Sequence, residues 1–231
     1  MAAVSILQNM NIRCAIFGSM GCRMFGNPRP PNDVDVLLLP PPGNESTQED
    51  FKTAIVARDP VHFFLKNAKD PKATYKVLYY RLDNTSKKET SKVDILLPGV
   101  MHLPALSMEK IVWQRRGENV LPVVPFAVLL LQKLQGWDDH RTATENRYIK
   151  KAPVDVTDLT NMLQMRHVYP LVVSRPWSDR TLFSEEFEQR SRERVIDFCA
   201  QYPQHKEIWQ RLGFETEEED ALYTGILRLA I

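Results

Sequence analysis

An apolar segment that opens with two carboxylates, Asp33-Val-Asp-Val-Leu-Leu-Leu39, constrains the fold of this chain most strongly. Side chains two positions apart in a β-strand point to the same face, so we expect Asp33 and Asp35 to converge on one small volume. Two nearby carboxylates raise the free energy of ionising both unless a cation lies between them. A hard divalent cation is the natural partner. The segment therefore predicts a strand that presents a metal-binding acidic pair.

Two other segments extend this pattern. Residues 12–17 form an apolar run, interpreted as a strand, that ends in the turn Gly18-Ser19 at the start of a helix. Such a turn offers backbone N–H groups and a hydroxyl to phosphate oxygens. A third carboxylate, Asp94, is flanked by apolar residues in Lys92–Leu97, which predicts a strand with one solvated face. Taken singly, these residues are also compatible with a turn acid, a turn glycine and an N-cap serine.

The combination of these pieces resembles the polymerase-β-type nucleotidyltransferase superfamily. Gly18-Ser19 is followed after thirteen residues by Asp33-Val-Asp35-Val36, and later by a strand with Asp94 between apolar neighbours. Within the superfamily the chain is most similar to small antibiotic nucleotidyltransferases and to nucleotidyltransferase toxins of abortive-infection systems. Those proteins often carry Arg four residues before the first Asp, where Arg29 stands. They also often carry Ser or Thr two residues before it, where this chain has Pro31.

The resemblance implies an α+β fold, in which a mixed β-sheet with flanking helices is followed by a C-terminal helical lobe. It also implies nucleotidyl transfer from a nucleoside triphosphate with Mg²⁺ or Mn²⁺, and release of pyrophosphate. Asp33 and Asp35 would bind the metal that accompanies the nucleotide, and Asp94 would complete a second metal site and orient or deprotonate an acceptor hydroxyl. The nucleotide-binding residues implied are Gly18, Ser19, Arg29 and Lys133, of which Lys133 would approach the triphosphate.

A helix that carries Lys133, later followed by Asp155 and Asp158, resembles the second-lobe pattern of the same superfamily. The two acids share one helix face. Two simpler interpretations stay open at this point. Lys133 could extend from a buried helix face to solvent, and Asp155 could be an N-cap with Asp158 as a first-turn acid. Which basic residue between 141 and 151 faces the site is also open.

The secondary-structure pattern changes near residue 104, which predicts a catalytic core over 1–104 and a helical lobe over 105–231. In the first part the pattern predicts strands near 34–39, 61–65, 75–82 and 92–97, the last two as an antiparallel hairpin around a polar loop at 83–91. Residues 107–116 are predicted to be the first helix of the second part. The aromatic residues Tyr75, Tyr79 and Tyr80 are interpreted as core.

Charge and composition exclude several classes. Thirty Lys and Arg nearly balance 29 Asp and Glu, so no overall field favours nucleic acid or anionic membranes, although local basic patches remain possible. No apolar run approaches a membrane span and no signal sequence is evident, which predicts a cytoplasmic protein without a membrane partner. The three cysteines lack metal-ligand spacing and predict reduced thiols.

The acceptor stays open among a small molecule, a protein side chain and an RNA end, as do the preferred nucleotide and the oligomeric state. A nucleotide-binding or scaffold protein that has this fold but no turnover is the alternative function.

Overall fold

A seven-stranded mixed sheet dominates the first part of the chain in the computed structural model, which describes residues 2–68, 72–82 and 89–217. The strand order is β3-β4-β5-β2-β1-β7-β6. β2 pairs with β5 and β1 with β7 in parallel, and the other neighbours are antiparallel. The strands are β1 (Arg13–Phe17), β2 (Asp33–Leu39), β3 (Phe63–Asn67), β4 (Lys76–Arg81), β5 (Thr90–Leu96), β6 (Val112–Arg116) and β7 (Asn119–Val123).

Three helices pack against this sheet: α1 (Ala2–Asn9), α2 (Gly18–Phe25) and α3 (Gln48–Arg58). Thr47 caps α3 in a reciprocal arrangement with Asp50, in which each side chain accepts a hydrogen bond from the other residue's backbone N–H. The central strand β2 is half-buried over its first three residues and fully buried over its last four. The two acids of β2 therefore lie at the end of the strand that stays accessible.

The helices of the later part are α4 (Phe126–Arg141), α5 (Asn146–Ile149), α6 (Ala152–Leu163), α7 (Val168–Ser174), α8 (Glu185–Gln201) and α9 (Lys206–Arg211). Trp137, Phe198 and Trp209 are fully buried in their core, and the Trp137 and Phe198 rings meet edge to face at 5.0 Å between centroids. No helix in the described part of the chain combines the length and apolar character needed to cross a bilayer. The mixed sheet with flanking helices confirms the α+β class predicted from sequence.

The chain divides into two compact units. The first holds the residues up to Gln132 together with the returning segment Asp179–Ser184, and the second holds the rest. The sequence had placed the change of character near residue 104, but strands β6 and β7 belong to the sheet of the first unit. The functional assignment of the two parts, as a catalytic core and a helical lobe, stays a prediction.

The structure corrects two local predictions. The helix predicted over 107–116 is a single 3₁₀ turn, Met108–Lys110, followed by β6, because residues 112–116 pair along their whole length with β7. Tyr75 is 54% exposed, and Tyr79 and Tyr80 are half-buried on opposite faces of β4, so they are not core residues. Most of the polar loop predicted at 83–91 lies outside the described residues. All three cysteines are buried and none forms a disulfide.

Candidate active site

The structure brings the three predicted carboxylates together on the neighbouring interior strands β2 and β5. Asp33 and Asp35 extend from β2 on the same face, and Asp94 on the parallel neighbour β5 is the register partner of Asp35. One carboxylate oxygen from each residue lies within 4.8 Å of the others, and all three residues are half-buried. The two-residue period of the strand and the parallel pairing are together sufficient to form this cluster.

The donor set fits a hard divalent cation. All the candidate ligands are carboxylate oxygens, which favour Mg²⁺ or Mn²⁺ over softer metals. Two ligands on opposite sides of one Mg²⁺ lie about 4 Å apart, so oxygens within 4.8 Å need only small side-chain rotations to share an ion. Asp33, Asp35 and Asp94 are thus the residues that would hold a metal.

Gly18 fixes the distance between the Gly18-Ser19 turn and the acids. Its φ of +61° lies in the left-handed region, and a Cβ at this position would meet Asp35 Oδ2 at 2.0 Å. The preceding residue, Phe17, is the register partner of Asp35 across the antiparallel β1–β2 pair. Only glycine permits both the backbone conformation and the close approach of the carboxylate to the first residue of α2.

Arg29 reaches the same turn from residues 26–32, the proline-rich connector between α2 and β2. Its guanidinium Nη2 donates a hydrogen bond to Ser19 Oγ at 2.6 Å. The connector is held by Arg23, which donates to the backbone carbonyls of Asn27 at 2.9 Å and Pro28 at 2.7 Å. Two residues that the sequence resemblance had named separately, Ser19 and Arg29, therefore contact each other and form one polar cluster.

Lys92 is a member of the site that the sequence reasoning missed. Its Nζ donates to Asp94 Oδ2 at 2.5 Å, and Lys92 is the register partner of Asp33. Burial alone would lower the pKa of Lys92, but the hydrogen bond to Asp94 and the charges of the three carboxylates raise it above its ordinary value. The signal was available, since a residue two positions before Asp94 shares its strand face.

The second unit holds Lys133 in a buried ionic cluster. Lys133 Nζ lies 2.9 Å from Asp158 Oδ2 and 3.3 Å from Asp155 Oδ1, and His140 Nδ1 lies 2.5 Å from the other Asp155 oxygen. The Lys133 side chain is 12% exposed, so it does not extend to solvent. Asp155 lies in the first turn of α6, whose N-cap is Lys151. The role of Lys133 toward a triphosphate stays a prediction.

Comparison with known proteins supports the fold. No protein-family model matches the chain, and no curated protein matches it. Among solved structures it is similar to an antigenic nucleotidyltransferase-like protein from Paracoccidioides brasiliensis, with a TM-score of 0.60 and 12% identity over 94% of this chain and 92% of that one. At this identity the likeness establishes a nucleotidyltransferase-like fold and nothing beyond it.

Weaker similarity extends to two structures of ANT(2″)-Ia. The complex with adenylyl-2″-tobramycin gives a TM-score of 0.40 and 11% identity, over 68% of this chain and 86% of that one. The solution structure of the same antibiotic-resistance factor gives 0.42 and 10%, over 88% and 92%. These scores are too low to carry an argument about the present chain.

Proposed function

We propose that this protein is a metal-dependent nucleotidyltransferase, which moves a nucleoside monophosphate from a nucleoside triphosphate to an acceptor hydroxyl and releases pyrophosphate. The observation that carries the proposal is the convergence of three carboxylates beside the turn Gly18-Ser19, within a nucleotidyltransferase-like fold. Neither the acid cluster nor the fold alone would specify this chemistry.

In the proposed reaction the acceptor oxygen forms a bond to the α-phosphorus of the nucleotide. The bond between that phosphorus and the oxygen bridging to the β-phosphate breaks, and pyrophosphate leaves with the electron pair. The hydroxyl proton passes to Asp94 or to solvent. Bound divalent cations would supply Lewis-acid neutralisation of charge on the attacking and leaving oxygens.

The roles of the side chains follow from their positions. Asp33 and Asp35, adjacent to the start of α2, would hold the metal that accompanies the triphosphate. The backbone N–H groups at Gly18 and Ser19 would receive the pyrophosphate end, and the Ser19–Arg29 hydrogen bond keeps a guanidinium beside it. By the resemblance seen in the sequence, Lys133 would approach the triphosphate.

Binding of Mn²⁺ and turnover of nucleotide test the proposal. The double variant Asp33→Asn/Asp35→Asn should lose Mn²⁺ binding by electron paramagnetic resonance, and should not release pyrophosphate from radiolabelled nucleoside triphosphates with a cell extract as acceptor source. Glu118→Gln, which removes an exposed acid from the turn between β6 and β7, is the control and should leave both unchanged. Mn²⁺ binding and turnover that survive in the double variant would sink the proposal.

A non-catalytic nucleotide-binding function is the second candidate, and the Lys92–Asp94 ion pair favours it, since a built-in cation already neutralises one of the three acids. Calorimetry with nucleoside triphosphate and Mg²⁺ separates the two. Binding without pyrophosphate release across many acceptors would select this second function.

A further inference from the structure

A row of four side chains crosses the sheet face that carries the carboxylates. The register pairs Phe64 with Tyr79, Tyr79 with Lys92, and Lys92 with Asp33, so one residue from each of four adjacent strands lies in line. Neighbouring strands are separated by about 4.8 Å, which places Phe64 about 14 Å from Asp33. The row runs from two aromatic rings through a cation to the acid cluster.

The two rings form a flat half-buried surface. Phe64 and Tyr79 stack with 5.7 Å between centroids and 18° between their planes. Lys66 Nζ lies over both rings, 5.1 Å from the Phe64 centroid and 4.7 Å from that of Tyr79. The Arg81 guanidinium lies 4.4 Å from the Phe64 centroid. We call Phe64, Lys66, Tyr79 and Arg81 the platform.

The charged side chains on this sheet face, from β3 as far as the acid cluster, are all cationic. The strand period puts Lys66, Arg81 and Lys92 on the same face as the rings. Among the described residues of β3, β4 and β5 that share this face, the one acid is Asp94, which already belongs to the metal site. Such a face repels a cationic acceptor and attracts an anionic one.

We propose that the platform binds single-stranded nucleic acid and directs its terminal hydroxyl toward Asp94. Aromatic side chains that receive bases, with cations that contact phosphates, are the two elements by which proteins hold single strands. This inference rests on the proposed function, which identifies the acid cluster as the place where the acceptor reacts. It extends that function by assigning the chemical class of the acceptor. A neutral apolar acceptor would use the rings but would leave Lys66 and Arg81 without an anionic partner from the acceptor.

The cations over the rings do not block this use of the surface. A cation over an exposed aromatic ring is held more weakly than a base stacked on it. Lys66 lies on a long flexible side chain, so an incoming base can take its place over the rings while its ammonium group turns to a phosphate. The Arg81 guanidinium also donates a hydrogen bond to the Val61 backbone carbonyl at 2.5 Å, which it would exchange for the phosphate. The intramolecular contacts then describe the platform before nucleic acid binds.

Fluorescence anisotropy of a labelled twelve-nucleotide single-stranded oligoadenylate, with the full chain, tests the aromatic part. Tyr79→Leu keeps an apolar side chain but removes the ring, and should weaken binding by about tenfold, the loss expected for one base–aromatic stack. Tyr80→Leu is the matched control, since it removes a ring from the opposite face of the same strand. Equal affinities for the two variants would overturn the proposal.

The salt dependence of binding tests the cationic part with a variant that leaves the rings intact. Lys66→Gln/Arg81→Gln should reduce the slope of log K against log salt concentration by about 1.4, which corresponds to two phosphate contacts on a single strand. Arg58→Gln/Arg190→Gln removes the same charge from exposed positions on α3 and α8 and should leave the slope unchanged. An equal slope in wild type and platform variant would contradict the proposal.

Two further measurements separate this inference from the proposed function. Asp33→Asn/Asp35→Asn should still bind the oligonucleotide, because the platform does not depend on the metal. If wild type releases pyrophosphate but binds no oligonucleotide, the platform proposal fails while the proposed function stands. If oligonucleotide binds at the platform without any turnover, the proposed function fails instead.

Binding of adenosine monophosphate tests whether the platform holds a strand or a single nucleotide. Adenosine monophosphate that binds as tightly as the twelve-mer, with the same dependence on Tyr79, would overturn a strand site in favour of a mononucleotide site.

Discussion

At the scale of one residue, Gly18 determines whether the Gly18-Ser19 turn can lie directly beside the acid cluster. Gly18→Ala combines a positive φ, which costs an L-residue about 1–2 kcal/mol, with a Cβ that would meet Asp35 Oδ2 at 2.0 Å. We expect loss of Mn²⁺ binding together with a lower thermal unfolding temperature, because Asp35 must move away from the other two acids.

Gly117→Ala is the matched control for this substitution. Gly117 has nearly the same φ, +59°, but nothing lies within 4 Å of the Cβ that would be added. It should share the strain and show a similar small loss of stability while Mn²⁺ binding is unchanged. Mn²⁺ titration of both variants by electron paramagnetic resonance decides the point, and equal Mn²⁺ affinities would contradict a steric role for Gly18 at the site.

Lys92 is the residue whose removal we expect to strengthen metal binding. In the proposed metal site its ammonium group would compete with a divalent cation for Asp94, so Lys92→Met should lower the Mn²⁺ dissociation constant by a few-fold. The effect should stay below the tenfold that corresponds to about 1.4 kcal/mol, because the Lys92 side chain is 40% exposed and solvent screens its charge. Lys66→Gln removes a charge from the same sheet face two strands away and should have a smaller effect. Weaker Mn²⁺ binding by Lys92→Met would show that the lysine supports the site.

The sequence predicted the acids better than it predicted their neighbours. The alternation of side chains along a strand is a local property, so Asp33 and Asp35 could be placed on one face without knowing the fold. The hydrogen bond from Arg29 to Ser19 depends on how the seven-residue connector 26–32 folds back, and the pairing of Lys92 with Asp33 depends on which strands are neighbours. Neither follows from local pattern alone.

At the scale of elements, β6 shows where local pattern fails. Residues 107–116 include Met, Glu, Lys, Gln and Arg, all good helix formers, and the sequence therefore favoured a helix. The structure pairs Val112 with Val123 across a turn at Gly117, and this hairpin joins the sheet where Val123 lies beside Ile16 of β1. Non-local pairing overrides the local preference. The same dependence on pairing explains why Tyr79, interpreted as core from the sequence, lies half-buried on the sheet face that carries the acid cluster.

The attachment of this hairpin to the sheet can be tested on one strand. Val123 is fully buried between β1 and β6, and Val123→Ala should cost about 2 kcal/mol of unfolding free energy through lost burial and a residual cavity. Val120, which is 43% exposed on the same strand, should tolerate Ala within about 0.5 kcal/mol. Urea unfolding followed by circular dichroism measures both, and similar losses would argue against a buried β7.

At the scale of the whole molecule, the first unit includes a short segment that lies nearly fifty residues further along the chain than the rest of the unit. Asp179–Ser184 belongs to this unit, with Leu182 and Phe183 buried. Lys110 Nζ lies 2.7 Å from Asp179 Oδ2, and this hydrogen bond, with those from Thr181, lowers the pKa of Asp179 to about 2. The first unit is therefore formed by two separate stretches of the chain.

Two buried phenylalanines four positions apart provide a test of this division. Phe183 belongs to the first unit and Phe187, on α8, to the second, and each substitution to Ala should cost about 3–5 kcal/mol in its own unit. Three of the four tryptophans, at 137, 177 and 209, are buried in the second unit, so tryptophan fluorescence follows mainly that unit. Phe187→Ala should therefore shift the fluorescence transition. Phe183→Ala should lower the urea midpoint of the circular dichroism transition, as Val123→Ala does. If Phe183→Ala changed only the fluorescence transition, the segment Asp179–Ser184 would belong to the second unit.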